Sequence, residues 1–102
     1  MSPHVDKGLI RVFQILGKRW TGLILAALFY QEKNFSDVRR AIPGISERML
    51  ANRLAELVDA GLVVRLVSEG PPLRVSYRVT LAGAALESPF EALAACGRNF
   101  PE

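Results

Sequence analysis

Arg48, Asn52 and Arg53 lie in one short segment that opens with Ser46. A guanidinium can donate two parallel hydrogen bonds to guanine N7 and O6, and an asparagine amide can pair with adenine N6 and N7. A serine hydroxyl, with the free N–H groups of a helix's first turn, can hold a phosphate. Ser36, Arg39 and Arg40 precede this segment; Pro72 and Arg74 follow it, flanked by Arg65 and Arg78. The chemistry open to such a set is recognition of a polyanion rather than catalysis. One His and one Cys, His4 and Cys96, stand near opposite ends of the chain. They cannot form a Cys/His zinc site and do not suggest a nucleophile with its base. No Gly-rich phosphate loop or metal-spaced cluster is present, so neither an enzyme nor a bound cofactor is expected. A lone Cys also excludes a disulfide framework within the chain.

The placement of charge is more informative than its total. In 102 residues, 13 Lys+Arg against 10 Asp+Glu leave a net charge of +3. In residues 33–54, Lys33, Arg39, Arg40, Arg48 and Arg53 stand against Asp37 and Glu47. In residues 65–78, Arg65, Arg74 and Arg78 stand against Glu69. Residues 79–102 carry Arg98 against Glu87, Glu91 and Glu102 and are acidic. Positive charge thus gathers in two middle blocks, with the acids expected on faces turned elsewhere. Half the residues are hydrophobic, enough for a core, and the length fits a single domain over residues 1–102. The longest apolar run, residues 23–30, falls far short of the roughly 20 residues that span a bilayer. The N-terminal residues lack the apolar stretch of a secretory signal. A soluble, cytoplasmic domain with no membrane partner is the expectation.

The elements that must carry these residues follow from periodicity and punctuation. Leu9, Val12, Phe13 and Leu16 have helical spacing and stop at Gly17. Trp20, Leu23, Ile24, Ala27, Leu28 and Gln31 form a second helical stripe. Asn34 and Ser36 are cap candidates for a short third helix ending at Ala41. Pro43 disfavours helix at the residue before it, and Gly44 permits a tight turn. Ser46 caps a fourth helix, residues 46–60, with Gly61 beyond its end. Leu50, Leu54, Leu57 and Val58 are its buried stripe. Residues 62–68 are β-prone, residues 69–74 form a loop, and Val75, Tyr77 and Val79 alternate with polar residues as in a half-buried strand. Thr80 can cap a last helical region that Pro89 divides, with Phe90, Leu93 and Ala94 on the final helix. The fold class is mainly α with a β-hairpin, ordered α-α-α-α-β-wing-β-α-α: a winged helix-turn-helix.

On the fourth helix, Arg48, Asn52, Ala55 and Asp59 lie opposite the apolar stripe, Met49 and Glu56 border that face, and Arg53 lies on a flank. The N-terminal half is basic and polar, and that is the half a recognition helix inserts into the major groove. A charged helix face is more often simply solvated, but the preceding turn, the Arg39-Arg40 pair and the following hairpin favour nucleic acid. Arg74 on the loop suits a phosphate or the minor groove, or else an ordinary charged hairpin edge. Lys18 and Arg19, at the start of the second helix, suit the flanking DNA backbone or solvent.

Beyond these local signals, the stretch Leu16-Gly17-Lys18-Arg19-Trp20 resembles the Gly-Lys-Trp signature of the HxlR-type winged-helix regulators, relatives of the MarR group. Asn34-Phe35-Ser36-Asp37-Val38-Arg39-Arg40 resembles their Phe-Ser-Glu-Leu-Arg segment. Pro43-Gly44-Ile45-Ser46-Glu47-Arg48-Met49-Leu50 resembles their helix entry. Gly61-Leu62-Val63, Pro71-Pro72, Val75-Ser76-Tyr77-Arg78-Val79-Thr80 and Gly83 resemble their strands, wing and last helices. The resemblance covers about residues 9–97. It implies a prokaryotic transcription regulator that binds double-stranded operator DNA as a homodimer. It also implies a dimer contact made by the first and last helices, about residues 5–17 and 81–97. Leu9, Val12, Phe13 and Leu16 with Phe90, Leu93 and Ala94 would supply that contact, unless they belong to the protomer's own core. Several members carry a sensing Cys just before the first helix; residues 4–8 here have none. Cys96 reads as a small packing residue.

The leading reading is therefore a sequence-specific DNA-binding regulator. It would place helix 46–60 in the major groove of an inverted repeat and wing 69–74 on the backbone or minor groove. A small-molecule effector, if there is one, would sit between the dimer helices and the winged domain. The alternative is a winged-helix protein-interaction module without specific DNA binding, since fold alone does not set function.

Overall fold

The computed structural model describes residues 4–102. Asp6 begins the first helix by accepting hydrogen bonds from the Gly8 and Leu9 amides at 2.7 and 3.2 Å. That helix, α1 (Lys7–Leu16), ends at Gly17, where a Cβ would stand 2.4 Å from the Phe13 carbonyl oxygen. Trp20 then takes a left-handed conformation (φ 82°), which is costly for a residue with a Cβ. The chain turns through 90° there into α2 (Thr21–Phe29). Helix α2 therefore starts after Trp20, not at it. Thr21, Ile24, Leu25 and Leu28 are its buried residues. Leu23, counted in the apolar stripe, instead lies 57% exposed, because Leu25 takes the inward position.

Lys33–Asn34 forms β1, a strand the sequence pattern did not reveal. Asn34 closes β1 and opens α3 (Phe35–Ala41) by accepting from the Asp37 amide at 2.8 Å. Gly44 supplies the positive φ (94°) of the turn. Ser46 caps α4 (Glu47–Asp59), its hydroxyl accepting from the Met49 amide at 3.0 Å. Strands β2 (Val63–Val67) and β3 (Val75–Val79) pair antiparallel from Val63↔Val79 to Val67↔Val75. Strand β1 adds on the free side of β3, giving a three-stranded sheet in the order β1-β3-β2. Thr80 caps α5 (Leu81–Ala84), and α6 (Glu87–Arg98) follows. Pro89 does not begin that last helix. It sits within its first turn, where no amide hydrogen bond is lost.

The core is formed by Ile24, Leu25 and Leu28 of α2, Val38 of α3, and Leu50, Leu54 and Leu57 of α4. Ile42 and Ile45 of the turn and Val63 of β2 close it. Each buried Leu or Ile contributes about 1.5–3 kcal/mol relative to an exposed one. The helix-turn-helix is thus held from within by residues of both helices and of the turn between them.

The first and last helices are different. Neither α1 nor α6 has a buried residue, and every residue from 91 to 102 is exposed. The molecule measures 58 × 31 × 23 Å, with a Cα radius of gyration of 15.1 Å. A compact domain of this length would have about 13 Å. Among the described residues, no single helix is long and apolar enough to cross a membrane.

Candidate nucleic-acid interface

Helix α4 has its apolar side fixed against the core by Leu50, Leu54 and Leu57, so the opposite side must face outward. Arg48, Asn52, Ala55 and Asp59 all lie exposed there, as the helical spacing requires. No hydrogen bond or ion pair engages the side chains of Arg48 or Asn52 within the described residues. Their donors are free to meet a ligand. Met49 is half-buried against the core edge and presents only part of its side chain.

The neighbouring cations are committed differently. Arg39 of α3 donates to the Glu47 carboxylate at 2.9 Å and, through Nε, to the Ile45 carbonyl at 3.4 Å, bracing α3 against the entry of α4. Arg40 pairs with Asp37 one helical turn earlier. Arg53 donates through Nη1 to Glu56 at 2.6 Å and through Nε to the Arg19 carbonyl at 3.1 Å. Its side chain is only 19% exposed. Lys18 takes the second Glu56 oxygen. Hydrogen bonds from Lys18 first and Arg53 second hold the Glu56 carboxyl below the usual carboxylate value. It stays charged at neutral pH, and this cluster loosens only on acidification through that lowered value. The acids were expected on faces turned elsewhere. Asp37, Glu47 and Glu56 instead lie among the arginines, because three-residue spacings set Asp37 by Arg40 and Glu56 by Arg53, and the turn between α3 and α4 brings Glu47 to Arg39.

The wing is the loop between β2 and β3. It is closed by the Ser68 amide donating to the Arg74 carbonyl at 2.8 Å and the Arg74 amide donating to the Ser68 hydroxyl at 3.0 Å. This stub holds Pro72 and Arg74 outward, and both are exposed. The Arg74 side chain has no hydrogen bond or ion pair within the described residues. Ser36 is exposed near the start of α3, in a shallow cleft with Arg39, Arg40 and Glu47. Ser46, Arg48, Asn52 and Ser36 thus belong to the helix-turn-helix surface, and Pro72 and Arg74 to a separate arm.

Residues of the first and last helices divide between two uses that the spacing left open. Leu16 packs on the protomer's own core, as does Phe90, whose ring meets Phe29 edge-on at 5.2 Å. Gly22 lies beside this ring, and a Cβ there would make an ordinary van der Waals contact with it at 3.7 Å. Val12 is half-buried, whereas Leu9, Phe13 and Leu93 are about half exposed or more, and Ala94 is exposed. Cys96 is exposed on α6. It is therefore not a packing residue within the protomer, because among the described residues nothing covers α6 beyond Phe90.

A helix-turn-helix with a free polar face on its second helix, followed at once by a hairpin with an exposed basic tip, defines the winged helix-turn-helix class. A family model described as HxlR-like helix-turn-helix matches residues 15–102, and the chain belongs to that family of transcriptional regulators. It is 41% identical over 102 residues to the HTH-type transcriptional regulator YodB of Bacillus subtilis (strain 168), covering all of this chain and 88% of YodB. The reduced form of YodB superposes with a TM-score of 0.84 at 37% identity over 97% of each chain. YodB has also been solved in diamide-treated and quinone-bound forms. A MarR-family transcriptional regulator from Porphyromonas gingivalis W83, 28% identical, superposes with a TM-score of 0.88 over 99% of each chain. The family and these relatives are regulators, not enzymes.

Proposed function

We propose that this protein binds an inverted-repeat operator as a cytoplasmic homodimer, with α4 in the major groove and the wing on the backbone or minor groove. The observation that carries this reading is the unpaired Arg48 and Asn52 on the exposed, N-terminal half of α4. Ser46 and the first-turn amides beside them suit a phosphate. Ser36 would meet the neighbouring backbone, as would Arg39 and Arg40 through the N–H groups that their pairs with Glu47 and Asp37 leave exposed, with Arg74 and Pro72 on the far side. Arg53 would brace α4 from its flank. A twofold axis would set two α4 helices about 34–36 Å apart, one turn of DNA.

The exposed Leu9, Phe13, Leu93 and Ala94 on α1 and α6 support a second copy as the partner of those helices. An amphipathic helix whose apolar face is left largely exposed in its own chain gains stability when a partner covers that face. A small-molecule effector belongs to the proposal at the level of class alone, because the relative YodB has a quinone-bound form.

Gel shifts on the DNA upstream of the protein's own gene, at two salt concentrations, test the reading. Binding should weaken by orders of magnitude over a few-fold rise in salt if a dimer makes roughly 6–10 phosphate contacts. Salt-independent behaviour, or none with DNA, would favour a protein-interaction module. Arg48→Ala should cost roughly 1–3 kcal/mol on operator and little on random DNA. An equal loss on both would make Arg48 a phosphate contact.

A further inference from the structure

We infer that Glu56 sets the DNA specificity of this protein by withholding two cations from the phosphate backbone. This rests on the DNA-binding reading above. Glu56 receives Lys18 on one carboxylate oxygen and Arg53 on the other, at 2.6 Å for Arg53. The two cations come from different places: Lys18 from the elbow between α1 and α2, Arg53 from the middle of α4. Both border the helix-turn-helix surface, and without Glu56 the Lys18 ammonium and the Arg53 Nη groups would be open to any phosphate, whatever the sequence, while the Arg53 Nε stays on the Arg19 carbonyl.

Geometry makes the arrangement stable. Arg53 is anchored a second time on the Arg19 carbonyl at 3.1 Å, so its fork points to the elbow and not outward. The elbow is itself fixed. Trp20 holds its left-handed turn, Arg19 lies 4.4 Å over the Trp20 ring, and that ring lies 3.7 Å from where a Cβ on Gly44 would stand. Lys18 is thereby positioned to meet Glu56 across 38 residues of sequence. Glu56 is a positioning residue in this scheme, acting through the two cations.

Phosphate contacts add affinity without sequence information, whereas base contacts carry it. Masking two cations per protomer lowers binding to random DNA and leaves Arg48 and Asn52 to discriminate. Asp59, on the same helix, has no ion pair within the described residues, so its removal releases no cation and serves as the comparison.

The test is the salt dependence of binding to a random-sequence duplex, read by fluorescence anisotropy for the full chain. Glu56→Ala should tighten random binding and steepen the plot of log affinity against log salt by about 0.9 for each cation released, up to about 3.6 per dimer. Asp59→Ala should leave that slope unchanged. Lys18→Met in the otherwise native chain should also leave it unchanged, a measurement that does not depend on the stability of the Glu56 variant. The inference is overturned if Glu56→Ala and Asp59→Ala behave alike, or if Lys18→Met alone flattens the slope. If the native chain binds no duplex at any salt, the DNA-binding reading falls and this inference with it. If the native chain binds and only the slopes disagree, this inference falls alone.

Discussion

Phe13→Glu is expected to turn the protein into a folded monomer and to lower operator affinity by about two orders of magnitude or more. Phe13 is 56% exposed on α1, between the exposed Leu9 and the half-packed Leu16. Its ring therefore contributes little to the protomer's own core, and the winged domain should keep its helical spectrum when the ring is lost. In a twofold dimer the same substitution occurs twice across one contact. Placing a carboxylate in an apolar contact costs roughly 2 kcal/mol or more per copy, so the dimer weakens by about a thousandfold. A monomer engages one half-site at a time and loses the roughly 10²–10⁴ gain that linking two half-sites brings. Sedimentation analysis and operator titration of the same sample check both statements. A variant that stays dimeric and binds operator like the native chain would place the contact elsewhere.

Gly83→Ala is expected to be the most damaging small substitution, at about 3 kcal/mol or more. Gly83 is buried in α5, and an added Cβ would stand 2.1 Å from the Leu62 carbonyl oxygen and 3.2 Å from the Val79 Cβ. The first of these neighbours is backbone and cannot swing aside. Leu62 already accepts from the Thr80 amide at 3.0 Å, and the Thr80 hydroxyl donates to the Gly61 carbonyl at 2.6 Å while accepting from the Gly83 amide at 3.2 Å. Moving α5 away by the needed ångström strains all three bonds, each worth about 1 kcal/mol. It also loosens the base of α6, so the proposed dimer contact would weaken as well. Against a total stability of about 5–15 kcal/mol, such a loss is large. The urea midpoint should fall clearly below that of the native chain. An unchanged midpoint would mean that α5 shifts freely and is not locked to the Gly61–Leu62 turn.

Much of this architecture is legible in short stretches of sequence because the signals are local. Asn34, Ser46 and Thr80 each cap the helix that their type and position announce, and Gly44 and Gly61 take the positive φ that a turn and a helix end require. The exposed face of α4 follows once Leu50, Leu54 and Leu57 are placed inside. What escaped the pattern is nonlocal or too short. A two-residue strand such as β1 has no period to detect, and only its pairing with β3 defines it. The Glu56 cluster joins residues 38 apart in sequence, and the turn between α3 and α4 must form before Arg39 can find Glu47. Leu16 and Phe90 share the apolar character of Leu9 and Leu93, so only the packed structure separates those that hold the protomer together from those left uncovered.

In the proposed complex, two copies of α4 related by a twofold axis read one DNA site. Hydroxyl-radical footprinting tests it most directly, on a duplex that the native protein selects from a randomised pool. The expected result is an inverted repeat, with two equivalent protected segments whose centres lie about one helical turn apart. Both protections should be lost together in Arg48→Ala at the same protein concentration. A single protected half-site, or selection that yields no common sequence, would contradict it.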